Sequence, residues 1–418
     1  MTTTRKSDIT PAFILQYRWS ILAIGVLAQV TFATAFAGIP VAGVIMRERY
    51  QFSTEQLGFV LGCMGLGVAL SEIIWGILTD KLGDKIVLIT GLVLMGLTFL
   101  TIANGWVPQP GRQPGHVALG LLLVTAGAVG GSINSSSGRA VMSWFQDGER
   151  GFAMSIRQTA IPVGGALGSV LVPWLAAAHG FGAVFLTLGG LCLATALCVW
   201  RWIIEIDSPK AAAGSPDGVS PLRRFAVWKM ALAGAALTVP QMAVLTFAAV
   251  FLNDHQHLGL TAISVTLVVI QLGGAALRIV TGRYSDRYKN RRALIRWVAL
   301  VAGLASLALG LMTEQNTYLV LLLLVLTGLA GHAWHGIAYT EIAVMSGVQR
   351  AGTALGMMGT TVFGAAFLTP YAIPSVLHAG GWSTVWLVVG GATLLALPLV
   401  AKSALAAMPS TLKGSRNA

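Results

Sequence analysis

The chain has 418 residues, of which 55% are hydrophobic and only 10% are charged, and its formal net charge is +12. Soluble globular domains contain about 25% charged residues, and the apolar stretches here are too many and too long for the core helices of such a domain. The composition therefore predicts a polytopic membrane protein. The polar, basic start from Met1 to Gln16 does not indicate a cleavable signal peptide, because the apolar run that follows is much longer than a signal-peptide core.

The basic residues are distributed unevenly along the predicted topology. Of the 27 Lys and Arg residues, 21 fall on one side of the membrane, three fall within helices, and three fall on the other side, namely Arg47, Arg49 and Arg112. This asymmetry predicts an inner (plasma) membrane protein with both termini in the cytoplasm. It also argues against nucleic acid as the partner of this basic chain, and leaves the lipid bilayer as its surroundings.

Twelve apolar segments follow one another along the chain. Helices one to six are predicted at residues 17–46, 55–79, 85–105, 117–144, 151–176 and 181–204. A stretch rich in Ala, Gly, Ser and Pro, from Glu205 to Pro221, then predicts a flexible cytoplasmic linker. Helices seven to twelve are predicted at 225–252, 260–281, 293–313, 317–345, 351–377 and 382–402. The predicted divisions are an N-terminal bundle (1–204), a linker (205–224), a C-terminal bundle (225–402) and a cytoplasmic tail (403–418).

A short charged motif occurs twice, each time just after a long apolar run. The first copy spans Gly76 to Lys85 and the second spans Gly282 to Arg292. Asp80 aligns with Asp286 at an offset of 206 residues, about half the chain. The segments after helices four and ten also align, with Gly151 matching Gly352. A motif repeated at half-length in an apolar chain indicates two homologous membrane halves.

The two motif copies resemble the loop between the second and third helices of major facilitator superfamily (MFS) transporters and its counterpart between the eighth and ninth. The resemblance covers essentially the whole chain. It implies an all-α membrane protein of the MFS fold, with twelve transmembrane helices in two pseudo-symmetric six-helix bundles, that works as a monomer by alternating access.

The motif loops of that family form a latch that closes the cytoplasmic side in the outward-facing state. The resemblance therefore implies gating roles for Asp80, Lys81, Asp286 and Arg287, with the aspartates paired to these basic neighbours or to adjacent helix termini. Asp84 stands where the family commonly has a basic residue, which predicts a weaker latch in the N-terminal half. The alternative is that these charges serve membrane topology alone.

Five ionisable residues are predicted inside the membrane, where charges are costly and mark functional sites by default. Glu72 and Arg278 occupy equivalent positions in the repeat, each eight residues before its motif aspartate. At about 1.5 Å per residue they lie about 12 Å deep, close to the midplane where transporters bind substrate. The five residues are Glu72, Arg139, Arg157, Arg278 and Glu341.

Two of the arginines are predicted to bind an anionic substrate. Arg278 resembles the helix-eight arginine of MFS carboxylate porters, and a guanidinium matches a carboxylate with a planar fork of donors. Because helices five and eight pack together in the MFS fold, Arg157 is expected near Arg278 as a second ligand. The alternatives are a structural ion pair for Arg278 and a gating or packing role for Arg157.

The remaining charges are assigned to coupling and gating. Glu72 is the predicted proton-coupling residue, because burial disfavours the charged form of a carboxyl group; the alternative is a permanent structural partnership with an arginine. Arg139 and Glu341, at nearly equivalent places on helices four and ten, are predicted to form a cytoplasmic charge network for gating; substrate contact is the alternative for Arg139. Glu341 is also a second candidate for proton coupling.

Helix ten carries His332, His335 and Tyr339 at spacings of three and four, which places all three on one face. This stripe is predicted to contact substrate or to relay protons, although a satisfied pair of core histidines fits equally well. Two histidines without a carboxylate or cysteine partner do not make a metal site, and the sequence calls for no cofactor.

These residues favour a secondary active transporter that takes up a small organic anion, a carboxylate by expectation, together with protons. Three intramembrane arginines against two glutamates leave an excess charge of +1 that such a substrate would neutralise. Drug efflux is the alternative, but Ile161 replaces the glycine before Pro162 that the MFS antiporter signature requires. A sensor without transport is a minor alternative, and the chain contains no hydrolase or metalloprotease motif of an enzyme.

Overall fold

The structure is a computed structural model that describes residues 4–5, 11–207 and 219–400. Most of the predicted linker, 208–218, and the predicted tail, 403–418, lie outside the described residues. Ten helices in the described ranges are long and apolar enough to cross a membrane. Two of these, Arg150–Trp202 and Val348–Leu399, contain 53 and 52 residues, enough for two crossings each.

Each of the two long helices contains one glycine in a conformation that breaks the helix. Gly180 has φ 78° and Gly381 has φ 70°, a region that favours glycine because it has no Cβ. The predicted loops between helices five and six and between helices eleven and twelve are therefore single-residue corners. With these breaks, the described part of the chain contains the twelve predicted crossings.

The observed bounds agree with the predicted spans to within several residues. In the first half, helix one is Pro11–Val41, continued by Gly43–Tyr50; helix two is Thr54–Leu82, helix three Asp84–Gly105, helix four His116–Gly130 and Ser132–Trp144, and helices five and six share Arg150–Trp202. In the second half, helix seven is Phe225–Val250, helix eight Leu260–Tyr288, helix nine Arg291–Leu311, helix ten Thr317–Ala333 and His335–Ser346, and helices eleven and twelve share Ala351–Leu394.

Besides these interruptions, other details depart from the predicted twelve regular helices. A five-residue π-helical turn, Phe251–His255, ends helix seven. A short helix, Ala396–Leu399, follows helix twelve. Two-residue strands at Thr4–Arg5 and Ile206–Asp207 pair in parallel.

The two halves meet where helix two packs on helix eleven and helix five packs on helix eight. The aligned glycines of the repeat make these contacts. A Cβ built on Gly76 would lie 2.4 Å from the carbonyl oxygen of Gly352, and one built on Gly282 would lie 2.6 Å from that of Gly151. Each motif glycine therefore contacts the partner glycine of the other half, which requires backbones to approach as closely as small residues allow.

The surface of the helices is apolar and the middle of the bundle is polar. Side chains such as Leu70, Val170, Leu272 and Leu311 are between 67% and 73% exposed, as expected for positions that face lipid. Buried polar residues instead concentrate at mid-helix positions of helices one, two, four, five, eight and ten. The sequence thus places its polar groups inside and its large apolar groups outside, which positions the candidate site between the halves.

Candidate substrate and coupling site

Helix four contributes a run of small polar residues at the centre of the site. Five of the six residues from Ser132 to Ser137 are Ser or Asn, and all six are buried. Ser136 and Ser137 donate hydrogen bonds to carbonyl oxygens of their own helix, which lets hydroxyls stay inside the membrane. Our sequence reasoning missed this run, although five polar residues within six positions of an apolar helix are a readable signal.

Arg157 of helix five is fully buried among groups of the first half. Its Nη1 donates to the Ser137 hydroxyl at 2.9 Å and to Gln29 Oε1 at 3.2 Å, and its Nη2 donates to Asn134 Oδ1 at 3.2 Å. All of these acceptors are neutral. The guanidinium is therefore solvated by dipoles and keeps its positive charge available for a negatively charged partner.

Glu72 of helix two is the acidic group nearest to Arg157, and Asn134 joins the two. The amide Nδ2 of Asn134 donates to Glu72 Oε1 at 3.2 Å while its Oδ1 accepts from Arg157. Ser135 donates to the other carboxyl oxygen at 3.2 Å. Glu72 thus interacts with Arg157 through an intervening amide rather than by a direct ion pair, a geometry intermediate between the two sequence-based alternatives.

Arg278 of helix eight is also buried and contacts both halves of the protein. Its Nη1 donates to the backbone carbonyl oxygen of Gln158 on helix five at 2.7 Å, and its Nη2 lies 3.0 Å from Nδ1 of His332. A guanidinium keeps its proton, so it is the donor and His332 Nδ1 accepts. Arg278 therefore contacts helix five as expected, at Gln158, the residue that follows Arg157.

The helix-ten stripe divides between two roles. His332 contacts Arg278, and the Gln241 side chain of helix seven lies 3.4 Å from the same ring nitrogen. His335 instead hydrogen-bonds to the His332 carbonyl oxygen at 3.3 Å and stacks on Trp334, where helix ten is interrupted. Tyr339 is buried within electrostatic range of Arg157 and Arg278. His332 thus contacts Arg278 directly, whereas Tyr339 and His335 are buried nearby without a hydrogen bond to either arginine among the described contacts.

Several buried polar atoms around the arginines have no hydrogen-bond partner within the described ranges. They include the Nε of Arg278, the Nε2 of Gln29, and both the Oε1 and the Nε2 of Gln158. Buried polar groups in native proteins are nearly always satisfied by protein, water or ligand. The buried groups beside the two arginines therefore retain unused hydrogen-bonding donors and acceptors.

An aromatic contact between the halves covers this polar region. Phe363 of helix eleven packs edge-on against Phe32 and Phe36 of helix one, with ring centroids 6.4 Å and 5.5 Å apart. Along helix one, these rings lie on the far side of Gln29 from the motif loops. The polar groups are therefore enclosed between aromatic rings on one side and the motif loops on the other.

Asp80 joins the first motif loop to the second half of the protein. Its carboxylate accepts hydrogen bonds from the backbone amides of Gly352 and Thr353 at 2.9 and 2.7 Å, and from the Thr353 hydroxyl at 2.5 Å. These amides begin helix eleven, where the helix dipole favours a negative charge. Arg139 of helix four pairs with Asp80 at 3.4 Å and with Asp84 at 2.8 Å.

Asp286 makes the equivalent connection from the second half to the first. It accepts hydrogen bonds from the amides of Gly151 and Phe152, which begin helix five, at 3.0 and 2.7 Å. Arg291 pairs with Asp286 at 3.2 Å and with Asp147 at the same distance. The contacts of the two halves are therefore reciprocal. Each motif aspartate accepts hydrogen bonds from the first amides of a helix in the other half, beginning with the amide of the aligned glycine, Gly352 or Gly151.

The predicted gating residues differ in the contacts that they make. The partners of the two aspartates are helix starts, Arg139 and Arg291, whereas Lys81 and Arg287 are exposed, with the guanidinium of Arg287 over the Tyr288 ring. Asp84 does not leave the first latch short of a counter-charge, since it shares Arg139 with Asp80. A basic residue of helix four, Arg139, thus serves both carboxylates, and the weaker latch in the N-terminal half stays a prediction.

Arg139 and Glu341 do not form the single charge network that we expected. Arg139 pairs with Asp80 and Asp84, whereas Glu341 pairs with Arg292 at 2.5 Å. The two residues lie at equivalent places in the two halves, with the signs of their ion pairs exchanged. Arg139 and Glu341 therefore both form ion pairs near the motif loops. Of the five predicted intramembrane charges, Arg157, Arg278 and Glu72 lie in the centre, and their net charge is +1.

Comparison with known proteins identifies what this arrangement is similar to. The model of the Major Facilitator Superfamily matches residues 21–370. An uncharacterized MFS-type transporter of Mycobacterium tuberculosis, Rv2994, is 28% identical over 347 residues, which cover 82% of this chain and 76% of that protein. The probable sulfoacetate transporter SauU of Cupriavidus necator is 24% identical over 384 residues, which cover 85% and 86% of the two chains.

A solved structure shows the same fold. The proton:xylose symporter XylE superposes with a TM-score of 0.75 at 14% sequence identity, covering 92% of this chain and 95% of its own.

Proposed function

As a member of the Major Facilitator Superfamily the chain is a multi-pass secondary transporter, and we propose that it carries a small organic anion, a carboxylate, inward together with protons. The observation that carries this proposal is the central charge balance. Arg157 and Arg278 are both buried and have Glu72 as their acidic neighbour, a net of +1. An anionic substrate between the arginines neutralises that charge, and burying a charge without a partner is costly.

The donors of the site suit a carboxylate. Arg278 uses two of its nitrogens on Gln158 and His332 and has its Nε unpartnered within the described part of the chain. Planar carboxylates accept such donors in pairs. Further support comes from SauU, whose name gives sulfoacetate, a small organic anion, as its probable substrate.

Glu72 is the proposed proton carrier. Its carboxyl group is buried against neutral donors, Asn134 and Ser135, so its charged form is stabilised by hydrogen bonds and not by a direct arginine contact. Loss or gain of this proton changes the charge on Glu72, and Asn134 connects Glu72 to Arg157 by hydrogen bonds. Proton binding and anion binding are thereby linked through one side chain.

The two motif loops are the proposed cytoplasmic gate of the transporter. Asp80 and Asp286 close the end of the bundle that we propose faces the cytoplasm, given the 21 basic residues on that side. Breaking both sets of contacts would allow the halves to part there, while the contact of Phe363 with Phe32 and Phe36 keeps the opposite end closed.

A reconstitution experiment tests the proposal directly. Purified protein in liposomes, with an imposed pH gradient, should accumulate one or more acids from a library of labelled carboxylates and sulfonates. Accumulation that depends on the gradient supports proton symport of an anion. Accumulation of lipophilic cations and no acid would replace this function by drug transport, and binding without net flux would indicate a sensor.

A further inference from the structure

The Gln158 side chain is a buried amide that the protein itself leaves unused. Gln158 is fully buried, and neither its Oε1 nor its Nε2 has a hydrogen-bond partner in the part of the chain that the structure describes. An amide contains both a donor and an acceptor.

The neighbouring residues show that Gln158 faces the candidate site. Ser155, one turn earlier on helix five, contacts helices eight and ten, since a Cβ built on Gly282 or Gly336 would meet its hydroxyl at 2.1 or 1.8 Å. Residues three apart lie on the same helix face. Gln158 therefore faces helices eight and ten as well, beside Arg278, which hydrogen-bonds to the Gln158 carbonyl oxygen.

A carboxylate alone does not satisfy this set of groups. The unpartnered Nε of Arg278 and Nε2 of Gln29 are donors, and carboxylate oxygens accept from donors. The Oε1 of Gln158 is an acceptor, and an ionised carboxylate has no hydrogen to give it. The ligand that fits all of these atoms carries an O–H or N–H group in addition to its anionic group.

Resting on the proposed function, we infer that the substrate is a hydroxylated small carboxylate and that Gln158 is the residue that recognises its hydroxyl group. The hydroxyl donates to Oε1 of Gln158 and accepts from Nε2, while the carboxylate lies at the arginines. A site built around a hydroxyl rejects an analogue without it, because the analogue leaves buried polar atoms unpaired.

The test compares matched acids in proteoliposomes under a pH gradient. Each pair has the same carbon chain with and without one hydroxyl, such as glycolate with acetate, lactate with propionate, and 3-hydroxybutyrate with butyrate. The wild-type protein should transport the hydroxylated member of at least one pair at least about tenfold better at low concentration, the selectivity of roughly one net hydrogen bond. Equal transport within every transported pair, or preference for the plain acid, overturns the inference while leaving anion transport intact.

The Gln158→Met variant separates recognition from structure. Methionine keeps the length of the side chain but removes both polar atoms, so the ratio between the paired acids should fall toward one while transport of the plain acid persists. Thr159→Val is the matched control, since Thr159 hydrogen-bonds to its own helix at Ile156 and the variant should keep the wild-type ratio. An unchanged ratio in Gln158→Met would show that the amide is not the hydroxyl ligand.

A second variant covers the case in which Gln158→Met is not produced as folded protein. Gln158→Asn retains both polar atoms but withdraws them by one methylene, so it should also reduce the ratio. If the wild type transports no acid of any kind, the proposed function itself fails, an outcome distinct from transport without selectivity.

Discussion

The carboxyl group of Glu72 lies directly against the backbone of Gly359, so that a Cβ built on Gly359 would come within 2.5 Å of Glu72 Cδ. Glu72 belongs to the first half of the protein and Gly359 to the second. The proposed proton carrier is therefore covered by a helix of the opposite bundle, and its access to water depends on how the halves are arranged.

The Gly359→Ala variant should transport slowly, because the new methyl group collides with the Glu72 carboxyl group. Overpacking of this kind costs about 1–3 kcal/mol in the arrangement seen here, which predicts a loss of about tenfold or more in initial rate. Gly364→Ala on the same helix is the matched control, since a Cβ there meets nothing within 4 Å. Equal rates for the two variants would show that the contact between Glu72 and Gly359 is dispensable.

The Arg278→Lys variant should nearly abolish transport, by about 100-fold or more, while insertion and folding persist. An ammonium retains the charge but not the planar set of donors that contacts Gln158, His332 and the proposed carboxylate. Uptake at low substrate concentration is the measurement, and Arg283→Lys, an exposed position on the same helix, is the control. Wild-type uptake in Arg278→Lys would remove Arg278 from the binding site.

The Asp80→Asn variant should lower the maximal rate more than the apparent affinity. An amide cannot accept from all three donors of Gly352 and Thr353, and it loses the charge that attracts Arg139. The closed arrangement of the motif loops is thereby destabilised relative to the other state. Full concentration curves for uptake provide the measurement, with Glu314→Gln as control, since its side chain is 81% exposed in a pair with His255. A normal maximal rate with a much poorer affinity would contradict the latch.

The Asn134→Leu variant tests the link between Glu72 and Arg157. Leucine has the same number and branching of side-chain heavy atoms as asparagine but leaves Glu72 Oε1 and Arg157 Nη2 without their shared amide. Substrate exchange should persist in part while gradient-driven accumulation falls by about tenfold, because protonation no longer reaches Arg157. Ser143→Ala, whose hydroxyl bonds only to its own helix at Arg139 in the described contacts, is the control. Equal losses of exchange and accumulation would assign Asn134 a purely structural role.

Much of this arrangement follows from the sequence, because a repeated pattern constrains the fold strongly. The offset between Asp80 and Asp286 predicted two equivalent halves, and apolar length predicted the crossings. The corners at Gly180 and Gly381 were predicted as loops, because a single positive φ cannot be distinguished from a short turn by composition alone.

The sequence did not predict which charged residues pair with Arg139 and Glu341. Arg139 finds Asp84 and Asp80, and Glu341 finds Arg292, because the rotation of each helix decides which long side chain reaches which loop. Asn134 lay inside a conspicuous polar run, yet its bridging role depends on helices two, four and five meeting at one level. Sequence spacing along one helix does not contain that information.

The Glu72→Gln variant separates a proton carrier from a structural partner. Glutamine resembles the protonated carboxyl group permanently, so gradient-driven accumulation should fail if Glu72 carries the proton. Exchange of substrate across the membrane should persist, because exchange requires no net release of protons. The measurements are accumulation under a pH gradient and counterflow exchange without one, on the same proteoliposomes.

A structural role for Glu72 predicts a different pattern. Removal of its charge would take away the acidic group that Arg157 reaches through Asn134 and leave only the neutral acceptors described for Arg157, and a buried charge without compensation is destabilising. Thermal stability would then fall, and exchange would decline together with accumulation. Wild-type accumulation in a stable Glu72→Gln protein would contradict both roles and move the proton site elsewhere. Substitutions of His332 and Glu341 would then test the remaining candidates for the proton site. His332 accepts a hydrogen bond from Arg278, and Glu341 is paired with Arg292.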